Sequence, residues 1–299
     1  MSLRVLQFGA TGQLAREMLA LAGGAVEITA LSRAQLDLTD TDAIARAIGE
    51  AGDLDLVLNA AAYTAVDRAE AEPDLAYAVN ARAPAAMARA CQARALPLVH
   101  ISTDMVFSGT KSGPYVESDA PAPLHVYGAS KLVGEMAVLE ACDRALVARV
   151  SWLFSAHGQN FLQMMLKLAQ TQPVLKVVDD QRARPTASAD VAAFIFSQAQ
   201  RLARAPAGAP EWGLLHLVNG GEASRYEMAQ AIFDLAWPGR APPVMQPVPT
   251  STFPTPARRA LNCVLDTGRL KSVFGLELRP WREALEDTLE QLAPAEVSL

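Results

Sequence analysis

Short, almost unbroken apolar runs alternate along the chain with longer stretches in which apolar residues recur every three or four positions. RVLQFG (Arg4–Gly9), EITALS (Glu27–Ser32), DLVLNAAA (Asp55–Ala62), PLVHIST (Pro97–Thr103) and ALVARVS (Ala145–Ser151) have the look of strands, and LLHLVN (Leu214–Asn219) of a late one. QLAREMLALA (Gln13–Ala22), the stretch from Pro73 to Arg94 and the segment that carries Tyr127 have helical spacing. Strands that are apolar on both faces and separated by helices belong to a parallel sheet covered on both sides. The β-α-β order from the first residues predicts an α/β fold with a doubly wound parallel sheet of the Rossmann type.

After about Ser151 the texture changes. Prolines gather in PVPTSTFPTPARR (Pro247–Arg259), which must be extended or turning. A last helix spans Pro280–Leu292, with Trp281, Leu285 and Leu289 on one face. We expect a dinucleotide-binding domain from residues 1–150 plus about 186–218. A smaller C-terminal substrate-binding lobe, from about 151–185 and 219–299, is expected to close over the sheet's carboxyl edge.

The first strand-to-helix turn reads FGATGQLA, with Gly9 and Gly12 in the loop. Glycines there let backbone N–H groups approach an anion, and the helix that follows points its positive end at the same place. The physics suits a pyrophosphate; a plain turn is the alternative. The second strand ends at Ser32–Arg33. A carboxylate at that position suits the ribose of NAD, whereas an arginine suits a 2′-phosphate, so NADPH is the expected cofactor, with NADH possible. Asp37 either meets the adenine or caps the helix that starts near Thr39 or Asp40.

Tyr127 and Lys131 stand one helical turn apart in HVYGASKLVGEM (His125–Met136), on one face. A free phenol titrates near about 10, and an adjacent ammonium is expected to lower that value. A tyrosine so placed can protonate a ketone oxygen as it accepts a hydride. Thr103, at the end of the fourth strand, can hold the carbonyl in line. All three fall at the carboxyl edge of the sheet, as does the glycine loop.

Composition narrows the function classes. Half of the 299 residues are hydrophobic, enough for a full core, and the formal net charge is −6 with a pI near 5.3. That balance argues against a nucleic-acid partner or a membrane-surface binder. No apolar run approaches a membrane span, and no leader pattern opens the chain. Cys91, Cys142 and Cys263 make no metal-ligand spacing and suit buried thiols in a cytoplasmic protein. His100, His125, His157 and His216 show no metal spacing either and are taken as packing or surface residues. Arg182, Arg184, Arg258 and Arg259 are either solvated charges or partners for a phosphate.

GATGQLA (Gly9–Ala15), LNAAAYTAVDRAE (Leu58–Glu70), ISTD (Ile101–Asp104) and YGASK (Tyr127–Lys131), in this order, resemble the extended short-chain dehydrogenase/reductase family. NAAAYTAVDRAEAEP (Asn59–Pro73), SWLFSAHGQNF (Ser151–Phe161), PTPARR (Pro254–Arg259) and FGLELRPW (Phe274–Trp281) extend the resemblance over nearly the whole chain. They narrow it to members that reduce the C4 ketone of a dTDP-activated 6-deoxysugar. The resemblance implies a catalytic set of Thr103, Tyr127 and Lys131. It implies cofactor contacts at Gly9, Thr11, Gly12, Gln13, Leu14, Asp37, Leu38, Ala61, Ala62 and Tyr63, with Asn80 behind the site. On the dTDP-sugar side it implies Asp104, Trp152 and Thr103, with Asn160, Phe161 and Arg259 around the nucleotide.

Two departures bear on the sugar. Met105 stands where the family has a tyrosine, and RRALNC (Arg258–Cys263) departs from RRPxNS. Some members form a dimer bridged by a metal on glutamates. Glu17 matches one such position, but Ala189 replaces another, with Asp190 beside it, so no metal ligand is assigned and bound Mg is left open. A monomer and a homodimer are both compatible with the sequence. Two rival readings stand beside the reductase: an enzyme for another nucleotide sugar, and a non-catalytic subunit that keeps the dinucleotide fold.

Overall fold

The computed structural model describes residues 2–239 and 242–292. Its central sheet has six parallel strands: β1 (Leu3–Phe8), β2 (Val26–Leu31), β3 (Leu56–Asn59), β4 (Leu98–Thr103), β5 (Ala145–Val150) and the strand Gly213–His216. Their order across the sheet is Gly213–His216, β5, β4, β3, β1, β2. Every residue of β3 and β5 is buried, as the continuous apolar runs require of strands covered on both faces.

Neighbouring residues go to opposite faces. Val5 and Leu56 join Leu14, Met18, Val191 and Ile195, from the helices Gln13–Leu21 and Ser188–Arg204. Leu6 and Val57 join Ile44, Met87 and Val138, from the helices Thr41–Gly49, Ala83–Ala93 and Val126–Ala141. The doubly wound parallel sheet expected from the sequence is therefore the one that forms.

The chain leaves β1 for β2 at one edge and then returns to place β3 on the other side of β1. Loops after β1 and β3 diverge at that reversal, which opens a crevice at their carboxyl ends. The buried Gln7 amide fixes its floor by donating to the carbonyls of Gly9 and Ala15 at 2.8 and 3.2 Å.

A second apolar cluster lies beyond the sheet. It joins Phe154, Leu162 and Met165 to Ile232, Phe233, Trp281 and Leu285. Two short strand pairs brace it: Val174–Val178 runs parallel to Val244–Val248, and Arg182–Ala183 runs antiparallel to Ala223–Ser224. The last helix runs Trp281–Glu290, with Pro280 as its N-cap. No helix of the described residues is long and apolar enough to cross a membrane. Cys91, Cys142 and Cys263 are buried free thiols.

Candidate active site

A cleft of about 510 Å³ follows the carboxyl edge of the sheet. One end is the glycine loop. Gly9 adopts φ +99°, a conformation that side chains rarely take, and an added Cβ would stand 3.2 Å from Ala61. Gly12 caps the helix Gln13–Leu21 without any side-chain hydrogen bond, so the first N–H groups of that helix stay open to the cleft. Thr11, Gln13, Leu14, Ala61, Ala62 and Tyr63 line the same wall. Arg33, Asp37 and Leu38 form the rim beyond β2. Asp37 turns its carboxylate onto the Thr39 N–H at 2.9 Å, and Asp40 is the residue that caps the helix, accepting from Ala43 at 2.8 Å.

Tyr127 and Lys131 close the other end of the cleft. His125 starts their helix by accepting from the Gly128 N–H at 3.0 Å through Nδ1, which requires a neutral ring; burial lowers its pKa accordingly. The Tyr127 phenol lies beside the Thr103 hydroxyl. Thr103 in turn donates to Asp104 at 3.0 Å, and Ser151 donates to the other Asp104 oxygen at 2.7 Å. Burial raises the Asp104 pKa to about 6. Lys131 donates to the Ile101 carbonyl at 2.7 Å, and burial lowers its pKa to about 8.

One expectation is reversed here. The Tyr127 pKa is pushed up to about 12, not down, because burial dominates and the Asp104 charge adds to it, while only Thr103 opposes. The Lys131 ammonium is committed to the β4 backbone. The phenol is therefore held protonated, the state a proton donor needs.

The helix that carries the pair is seated tightly. A Cβ on Gly134 would stand 2.0 Å from the Asn80 carbonyl, and one on Gly128 would stand 2.3 Å from that of Met105. Asn80 lies on a π-helical turn, Ala78–Arg82, and does not line the cleft. Its amide accepts from the Tyr63 N–H at 2.8 Å and donates to Ser130 at 3.0 Å, clamping the cleft wall to the helix Val126–Ala141 from behind. Below it Glu135 and Arg149 form a buried ion pair at 2.6 Å.

A smaller cavity of about 40 Å³ adjoins the phenol side. Asp104, Met105, Trp152, Gln181, Arg225 and Arg259 are among the residues around it. Trp152 sits at φ +42°, a strained value for a tryptophan. The Arg225 guanidinium stacks 3.5 Å from its ring centroid. Nothing in the sequence singles out Arg225, since an arginine at the start of a helix gives no signal to tell it from a solvated charge.

Other candidates lie elsewhere. Asn160 caps the helix Phe161–Ala169, accepting from Gln163 at 3.2 Å and donating to Ser155 at 2.8 Å, and it reaches neither cavity. The spacing Asn-x-x-Gln was a capping signal. Arg182 pairs with Glu222 and Glu227, Arg258 is exposed, and Asp190 is held by Arg279 and Asn219. Arg259 pairs with Asp67 at 2.7 Å. Ser102 lines the cleft with its hydroxyl unpartnered, as does the buried carbonyl oxygen of the Gln13 side chain.

The profile of the family described as RmlD substrate binding domain matches residues 3–293. The chain belongs to this family. A curated family relative, the dTDP-4-dehydrorhamnose reductase of Burkholderia thailandensis, is 41% identical over 292 residues, covering 95% of this chain and 97% of its own. The enzyme of that name from Escherichia coli is 36% identical, covering 97% and 98%. A solved dTDP-4-dehydrorhamnose reductase from Clostridium acetobutylicum superposes with a TM-score of 0.88 at 34% identity, covering 96% of this chain and 99% of that one. One from Bacillus anthracis, in complex with NADP, also gives 0.88 at 32% identity, covering 97% and 100%. A UDP-glucose 4-epimerase from Thermus thermophilus, 19% identical with a TM-score of 0.76, shares the fold. With its family the chain is an oxidoreductase.

Proposed function

We propose that this oxidoreductase reduces the C4 ketone of dTDP-4-dehydro-L-rhamnose with NADPH, giving dTDP-L-rhamnose. The observation that carries the reading is the run of one cleft from an open glycine loop to a protonated Tyr127 beside Thr103. The curated relatives that bear the reductase name match over nearly their whole length. The cleft fits a dinucleotide on its own terms. Gly9 leaves room for a close backbone approach, the helix beyond Gly12 offers free N–H groups, and Ser102 and Gln13 present buried polar atoms without partners.

In this reading Gly9, Thr11, Gly12, Gln13 and Leu14 hold the pyrophosphate, and Arg33, Asp37 and Leu38 hold the adenosine end. Ala61, Ala62 and Tyr63 flank the middle, with Asn80 as the brace behind them. The dinucleotide, when bound, supplies the hydride. Tyr127 gives its proton to the sugar oxygen as charge develops there, and Thr103 orients that oxygen. Lys131, fixed on the Ile101 carbonyl, lines the same cleft and can meet a ribose hydroxyl of the cofactor. Asp104 and Trp152 face the sugar, and Arg259 lies toward the nucleotide. The chain divides into the dinucleotide-binding portion and the C-terminal substrate-binding lobe described from the sequence, and the enzyme works in the cytoplasm.

A second reading, another nucleotide sugar, draws on Met105 and Arg225 in the smaller cavity. One assay separates the two. Purified protein, NADPH and dTDP-4-dehydro-L-rhamnose are mixed and the absorbance of reduced nicotinamide is followed. Steady oxidation supports the proposal. No oxidation with this sugar, but turnover of a related nucleotide sugar, overturns it.

A further inference from the structure

We propose that Arg225 is the cation that grips the diphosphate of the sugar nucleotide, an assignment that rests on the substrate class proposed above. Arg225 is the first residue of the helix Arg225–Ala236, next to its N-cap Ser224. A cation there sits at the positive end of the helix dipole, where an anion is favoured. Arg259 across the cavity repels it, and burial lowers its pKa to about 10. Three electrostatic effects of one sign thus oppose a positive charge at this point.

What offsets them is incomplete. The guanidinium lies 3.5 Å from the Trp152 ring centroid and 4.9 Å from that of Phe161, and the Asp104 charge attracts it from a distance. Among the described residues no carboxylate comes within ion-pair distance of it. Arg259, by contrast, is already held by Asp67 at 2.7 Å and by the Ala257 carbonyl at 3.0 Å. Asp104 is likewise occupied, by Thr103 and Ser151. Arg225 is the guanidinium in this wall with charge left to give.

Its position fits a phosphate. Arg225 lines the smaller cavity together with Asp104, and Asp104 is bonded to Thr103, which lies beside the Tyr127 phenol. A hexose held by its C4 oxygen at the phenol carries its C1 and phosphate on the opposite side of the ring. Arginine's planar fork matches two phosphate oxygens, and stacking on Trp152 fixes the fork's plane.

The test is calorimetric titration of the full-length protein with dTDP, UDP, thymidine and the dTDP-sugar, using wild type, Arg225→Gln and Arg225→Lys. The expected result is an affinity for dTDP reduced about 30-fold in Arg225→Gln, the loss a desolvated charge contact gives. Thymidine and NADPH binding should not change and Tm should not fall, Arg225→Lys should recover much of the loss, and the salt dependence of dTDP binding should become shallower. Equal affinity of wild type and Arg225→Gln for both dTDP and UDP overturns the assignment. So does a parallel loss for thymidine, which would mark a structural role. A loss confined to the dTDP-sugar would put the fork on the hexose and also overturns it. If UDP rather than dTDP binds in an Arg225-dependent way, the base in the proposed function falls while the assignment of Arg225 stands.

Discussion

Lys131 donates an ammonium proton to the backbone carbonyl of Ile101 at 2.7 Å, so the helix Val126–Ala141 is anchored through this lysine to the end of β4. That anchorage keeps a buried charge under the cleft, and it has a cost that pH reveals. The amine titrates at 10.5 in its ordinary state and at about 8 in the fold. Below pH 8 both forms are charged, and the fold bears the whole desolvation penalty. Between 8 and 10.5 the folded protein has released its proton and the unfolded chain has not, so stability rises through that window. Lys131→Met should therefore have a higher Tm than wild type at pH 7, with the gain shrinking from pH 8 to 10.5, and no turnover. Calorimetry across that range checks it; a Tm difference that ignores pH would disprove the account.

Tyr127→Phe removes the proposed proton donor without changing the ring that packs against Ala69 and Ala76. We expect kcat to fall by about 10²–10⁴, the contribution typical of a positioned acid, with the Kd for NADPH unchanged. Stopped-flow turnover and fluorescence titration measure the two. Near-normal kcat would take Tyr127 out of the chemistry.

Two glycines should behave in opposite ways. Gly134→Ala drives a methyl into the Asn80 carbonyl, 2.0 Å away, so the helix or the π turn must shift. Urea denaturation should show a loss of about 1–3 kcal/mol, and activity should fall as Tyr127 moves. Gly12→Ala meets nothing within 4 Å and projects from a helix cap left open to the cleft. Its stability should match wild type while the KM for NADPH rises. A stability loss at Gly12 equal to that at Gly134 would contradict this.

Glu135 and Arg149 are paired at 2.6 Å and almost wholly buried. Removing one partner strands the other charge in the interior. Glu135→Ala should cost about 3–5 kcal/mol, and the pair Glu135→Leu with Arg149→Met should recover much of it. Chemical denaturation of the single and double variants decides; additive losses would count against the stranded-charge explanation.

Arg33 is exposed on the rim of the cleft beside Asp37. If it receives a 2′-phosphate, Arg33→Ala should raise the KM for NADPH by about tenfold or more, the effect of losing a charge-assisted contact, and leave NADH nearly unaffected. Steady-state kinetics with both cofactors test this, and an equal change for the two would refute it.

The sheet was legible because its strands must bury both faces, so β3, β4 and β5 appear as apolar runs that no loop would carry. The glycine loop and the spacing of Tyr127 and Lys131 were legible for a similar reason: local geometry dictates residue type. What escaped depends on distant chain. Asn160 looks like a site residue in sequence and proves to be a helix cap in space. The upward shift of Tyr127 depends on how deeply the fold buries it, which spacing alone does not encode. Arg225 gains its meaning only when Trp152, seventy-three positions earlier, comes beneath it.

Arg259 reaches back across the fold to Asp67, bringing the proline-rich late segment against the short helix Val66–Ala69 that follows β3. A nascent chain on the ribosome thus releases the glycine loop and the Tyr127 helix long before the residue that finishes the wall of the smaller cavity has emerged. On the proposed function, the groups that meet the sugar nucleotide come together only when one of the last segments of the polypeptide has been made.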